Sequence, residues 1–116
     1  MTICEKKEHE QAVGSAKREA LSEEQLGRVC NVFRVLGEPS RMKIVLALTG
    51  GEMCVYHILQ AVGGTQSGVS HQLRVLKDNR IVRSRREGQN ILYSLADDHI
   101  VEIVAMGRAH MDCAEE

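Results

Sequence analysis

Asp97, His99, His110 and Cys113 bring one carboxylate, two imidazoles and one thiol into the last twenty residues of this 116-residue chain. An O, N, N, S set suits tetrahedral Zn(II), with Co(II) as a ready substitute. Taken singly, each has a plainer role: Asp97 as a helix cap, an exposed histidine as polar surface, a lone cysteine as packing. Their spacing argues for them jointly. His99 and His110 are eleven residues apart and His110 and Cys113 three apart, so on a helix all three lie within roughly 60° of one face. At about 1.5 Å per residue the two ends stand roughly 16 Å apart, too far for one ion. Two antiparallel copies of the helix would bring Asp97 and His99 of one chain to His110 and Cys113 of the other. Two-fold symmetry then makes two such sites per homodimer.

A second chemistry lies upstream. At helical period Val69, Leu73 and Leu76 share one face, while Ser67, Ser70, His71 and Arg74, with Gln66 nearby, form the other. Hydroxyls, an amide, an imidazole and a guanidinium can all bond base edges or phosphates in a major groove. The same pattern also fits a solvated helix face. Charge distribution favours the nucleic-acid reading: Arg74, Lys77, Arg80, Arg83, Arg85 and Arg86 are opposed only by Asp78. From Asp97 onward the balance reverses, with Arg108 alone against six acids. A positive field beside an acidic terminus suits a duplex-binding face and a separate cation-binding end.

The elements that must hold these residues follow from local signals. Residues 1–21 lack a clean apolar stripe and are interrupted by Gly14 and Ser15, which predicts a mobile arm with some helical tendency. Residues 22–116 then form one DNA-binding and dimerisation domain. Ser22 and Gln25 make a capping box for a helix to about Leu36, with Cys30 packed on its apolar side beside Val29 and Phe33. Gly37 suits a helix end and Pro39 a helix start, so Ser40–Thr49 reads as a core helix rich in Met42, Ile44, Val45, Leu46 and Leu48. Cys54–Ala61, a turn at Gly63 and Gly64, and the Thr65–Arg80 segment give the helix-turn-helix order. Residues 81–86 and 90–95 flank Glu87 and Gly88 as a β-hairpin wing whose Arg83, Arg85 and Arg86 would hold phosphate or minor groove. Asp97 opens a last helix through about Cys113, with more apolar surface than a small monomer can hide.

The predicted fold is therefore mainly α with a β-hairpin wing: a winged helix-turn-helix with a terminal dimerisation helix. Scarce aromatics, no Trp and a single Pro argue against an all-β sandwich. Four scattered cysteines form no disulfide framework and no paired-Cys zinc ribbon, so reduced thiols in a cytoplasm are expected. The longest aliphatic run, Ile44–Leu48, cannot span a bilayer, and no signal peptide or membrane partner is expected. No nucleophile, base and oxyanion arrangement suggests an enzyme.

The stretches 33–41, 51–55, 66–76 and 93–95 resemble the ArsR/SmtB family of metal-responsive bacterial repressors. That resemblance covers about Val32 to Cys113. It implies a homodimeric winged-helix repressor that binds an imperfect palindrome of double-stranded operator DNA when metal-free and leaves it when metal binds. The zinc-sensing branch carries Asp-x-His and then His-x-x-Glu or His-x-x-His at the ends of its last helix. Asp97, His99 and His110 match that pattern, and Cys113 departs from it toward a softer ion such as Cd(II).

The resemblance also implies a second site, with Cys54 and His57 on a helix and Cys4 or His9 reaching from the arm of the other subunit. Tyr56 stands where soft-metal members often carry another cysteine. Two other classes remain as rivals: a metal-buffering protein, which would not need the basic helix and wing, and a thiol-redox sensor, which would not need the histidines. The redox chemistry needs two cysteines with Cα atoms within about 6 Å, and the sequence displays no such pair.

Overall fold

The computed structural model describes residues 3–114, with side chains over 6–113. The elements run α1 (Ile3–Glu19), α2 (Glu23–Leu36), α3 (Pro39–Leu48), β1 (Met53–Cys54), α4 (Val55–Val62), α5 (Gln66–Asp78), β2 (Val82–Glu87), β3 (Asn90–Leu95) and α6 (Asp98–Ala114). The chain divides into two compact units between Asn31 and Val32.

In the first unit, the segment expected as an arm is helical from Ile3 to Glu19. Its run of Glu, Lys, Gln and Ala outweighs Gly14, which costs only about 1 kcal/mol in a helix interior. Lys17 and Arg18 occupy its last turn, where the helix dipole favours cations. The capping box at the start of α2 forms as expected. The Ser22 Oγ accepts from the Gln25 backbone N–H at 3.1 Å, and the Ser22 N–H donates to the Gln25 side chain at 3.0 Å. Cys30, expected to pack on the apolar side of α2 with Val29 and Phe33, is exposed, as are both of those residues. The apolar stripe of α2 is uncovered over that stretch.

The second unit holds the core. Val35, Leu36, Ile44, Val45, Leu48, Ile58, Val69, Leu73, Leu76, Ile81, Val82, Leu95, Ile100 and Val104 form one buried cluster. The apolar content of α3 follows from this, since Ile44, Val45 and Leu48 are buried in that cluster and the helix packs against α4, α5 and β3. Pro39 takes the first helical position, and Glu38 caps the helix by accepting from the Arg41 N–H at 3.1 Å. The Glu38 carboxyl is held below its ordinary range, first by a backbone hydrogen bond from Ser40 and further by bonds from Arg41 and the Ser40 side chain.

The wing is one strand larger than the predicted hairpin. An antiparallel sheet of order β1-β3-β2 pairs Met53 with Tyr93 and Cys54 with Leu92 on one side of β3, and Val82–Glu87 with Leu95–Asn90 on the other. Cys54 is thus not the first residue of a helix, as its sequence context predicts. It is extended, with φ −82° and ψ 164°, and α4 begins one residue later. Pairing with β3 overrides the local helical pattern. Gly88 turns the hairpin with φ 62°, a conformation that costs glycine nothing. Among the described residues no helix is long and apolar enough to cross a membrane.

Candidate nucleic-acid interface and metal-ligand face

Helix α5 is built as an amphipathic rod with a clean division of labour. Val69, Leu73 and Leu76 are at most 4% exposed, and each such side chain removed from water contributes about 1.5–3 kcal/mol. Gln66, Ser67, His71 and Arg74 are exposed, and Ser70 is half-buried. Thr65 caps the helix by accepting from the Gly68 N–H at 3.1 Å. A Cβ at Gly68 would lie 3.0 Å from that cap oxygen. The glycine therefore serves the cap, which the sequence alone did not reveal.

In β2 the side chains alternate, so Arg83 and Arg85 share one face of the sheet and Arg86 the other. Arg83 Nε donates to the Ser94 hydroxyl across the strand pair at 3.3 Å. Arg85 is engaged by two carboxylates: it holds Glu52 through Nε and Nη2, and Glu87 at 3.0 Å. The Arg85 bond holds the Glu52 carboxyl below its ordinary value, and Glu52 in turn raises the Arg85 guanidinium further above its own. Of the three wing arginines read as phosphate contacts, Arg85 is the one whose charge is already neutralised. Glu52 gave no sequence signal of this pairing.

Asp97 performs the capping role that was its plainer reading. Its Oδ1 accepts from the Ile100 N–H at 3.2 Å and lies 3.4 Å from His99 Nδ1. Only one carboxylate oxygen is engaged in these contacts, and the donor chemistry still fits a metal. His99, Glu102, Met106 and His110 line one shallow groove together with Phe33. Glu102 on that face is a further carboxylate that the sequence reading left out; its spacing of three from His99 was the available signal. Cys113 is exposed. Among the described residues no three His, Cys, Asp or Glu groups converge on a point that could hold an ion.

At the other candidate site, Cys54 Sγ lies 3.4 Å from His57 Nδ1. Cys54 is half-buried and His57 exposed, with the Tyr56 ring centroid 5.7 Å from that of His57. His9 is exposed on α1, and the Cys4 side chain lies outside those described.

One contact had no sequence signal at all. Arg41 Nε on α3 donates to Gln72 Oε1 on α5 at 3.0 Å, joining residues 31 apart in the chain.

With this geometry in place, likeness to known proteins is specific. The family model for bacterial regulatory proteins of the arsR family matches residues 38–84, from the cap of α3 into the wing. A transcriptional repressor SmtB homolog from Synechocystis sp. is 36% identical over 104 residues, which is 89% of this chain and 79% of that protein. A cadmium resistance transcriptional regulatory protein CadC homolog from Staphylococcus aureus is 33% identical over 103 residues, covering 88% and 84% respectively. Among solved structures, the homodimeric winged helix-turn-helix DNA-binding domain of a possible ArsR-family regulator from Mycobacterium bovis superposes with a TM-score of 0.72. It is 28% identical and covers 81% of this chain and 90% of that one.

Proposed function

The chain belongs to the arsR family of bacterial regulatory proteins, and from that premise we propose that it is a metal-sensing transcriptional repressor acting as a homodimer on duplex DNA. Gln66, Ser67, Ser70, His71 and Arg74 enter the major groove, and Arg83 and Arg86 of the wing meet the phosphate backbone. Arg85 holds the wing in place.

The sensed ion is Zn(II), bound by Asp97 and His99 of one chain with His110 and Cys113 of the other. Co(II) substitutes, and the Cys113 thiolate admits Cd(II). The observation that carries this reading is the shared groove of His99 and His110 on a helix whose Met106 and Met111 are exposed. Candidate ligands and exposed apolar side chains lie along the same helix, so a second copy of that helix would complete the ligand set and cover the apolar surface. Metal joining the two terminal helices shifts the spacing of the recognition helices away from successive grooves, about 34 Å apart. Coupling is reciprocal, so DNA weakens metal binding by the factor by which metal weakens DNA binding.

Fluorescence anisotropy tests this on a duplex from the region upstream of the protein's own coding sequence, first in chelator and then with added zinc at fixed salt. Binding that collapses at about two ions per dimer supports the reading. If His110→Ala keeps both its DNA affinity and an undiminished zinc response, the terminal helices are not the switch.

The 3.4 Å contact between Cys54 and His57 favours one alternative, a soft-ion site at the start of α4. Cadmium that dissolves the complex in His110→Ala but not in Cys54→Ser would move the sensing there.

A further inference from the structure

We propose that Arg41 orients Gln72 so that its NH2 donors point away from the guanidinium, and that Gln72 and Lys43 together seat a DNA backbone phosphate in the cleft beside α5. This rests on the DNA-binding reading above and extends it to residues outside the recognition face.

The bond from Arg41 Nε to Gln72 Oε1 settles which way the amide points. A guanidinium has five donors and no acceptor, so the atom facing it is the oxygen and the NH2 group faces away. Both residues are half-buried, which keeps the pair out of full competition with water. A glutamine that reads adenine does so with its oxygen and nitrogen together. With Arg41 bonded to the oxygen, the two N–H donors of Gln72 face away from the guanidinium and need an acceptor. Phosphate oxygens are acceptors and carry negative charge.

The surroundings fit that acceptor. Gln72 lines a cleft with Ser40, Lys43, Gly63, Gly64 and Thr65, and no carboxylate is among the lining residues. The Ser40 side chain bonds to Glu38, and Lys43 and the Gln72 amide are the longest donor side chains lining the cleft. Lys43 is exposed. Gly63 and Gly64, with φ of 80° and 88°, put bare backbone along one wall. A cation and an amide donor without an acid select an anion over a metal. Gln72 also stands about 100° around α5 from His71, so it reaches the edge of a groove whose floor His71 would face.

The test is anisotropy on the upstream duplex and on a scrambled duplex of equal length, over a range of salt. Lys43→Ala and Gln72→Ala should weaken both duplexes by the same factor, about tenfold for Gln72→Ala. Lys43→Ala should also lower the salt slope by about one. Arg41→Met frees the amide to turn and should change the ranking of duplexes carrying single base-pair changes. Arg41→Lys, which retains a donor, should preserve that ranking. Melting followed by circular dichroism checks that each variant is folded.

The proposal is overturned if Gln72→Ala weakens the upstream duplex alone, if Lys43→Ala leaves the salt slope unchanged, or if folded Arg41→Met keeps the wild-type ranking. Failure of the repressor reading looks different: the wild type would then bind the two duplexes equally. The salt slope of Lys43→Ala would still decide whether the cleft holds a phosphate.

Discussion

The Arg85 guanidinium reaches past β3 to the carboxylate of Glu52, its Nε lying 3.1 Å from Oε1 and 2.9 Å from Oε2. Glu52 precedes β1 at one edge of the sheet and Arg85 belongs to β2 at the other, so one ion pair ties both edges of the wing together. Glu52→Gln should loosen that tie. Amide exchange measured by NMR is expected to quicken in Met53, Cys54 and β2. Arg85 then keeps only its contact with Glu87, and the freer guanidinium should raise the salt slope of binding to a scrambled duplex by at most about one.

The same pair sets a pH dependence. The Glu52 carboxyl is lowered from 4.5, chiefly by its hydrogen bond from Arg85. A depressed folded-state value stabilises the protein above the unfolded value and loses that contribution as pH falls through the folded one. Arg85 stays charged throughout, so the carboxylate alone titrates. In urea unfolding, wild type and Glu52→Gln should differ near neutral pH, and the difference should close in strong acid.

Arg80 links α5 to β2 with φ 61°, the left-handed conformation. Its N–H bonds to the Lys77 carbonyl and the next N–H, of Ile81, to that of Leu76, which locks the helix end into this shape. Arg80→Gly should therefore raise unfolding stability by about 1 kcal/mol. Arg80→Ala should give no such gain.

Thr65 supplies the side-chain cap at the N-terminus of α5, accepting from the Gly68 N–H. Thr65→Ala should lower stability by about 1 kcal/mol, whereas Thr65→Ser should stay close to wild type. Urea midpoints of the three proteins provide the comparison.

Met106 is 72% exposed. Met106→Glu should leave the monomer fold intact and, by placing charge on the face that pairs in the proposed dimer, yield monomers in analytical ultracentrifugation. A dimer that persists in this variant would place the interface elsewhere.

What the sequence by itself determined are caps, buried faces and turns governed by neighbours within about four residues. Ser22 and Gln25 predict their own reciprocal cap. Pro39 marks the start of α3, Val69, Leu73 and Leu76 declare the buried side of α5, and Gly88 marks the hairpin turn. Caps, helical periodicity and turn preferences depend on short spacings, and short spacings are written in the chain.

Tertiary structure decided the choices among distant partners. Cys54 has a helical context, yet pairing with Leu92 holds it extended. Arg85 reads like Arg83 and Arg86 until Glu52, 33 residues earlier, neutralises it. Gln72 offers either end of its amide until Arg41, 31 residues away, donates to its oxygen. Cys30 and Val29 read as core but lie exposed, because periodicity shows that a face is apolar without naming what covers it. Each of these outcomes depends on which groups packing brings within bonding distance, and no local pattern encodes that.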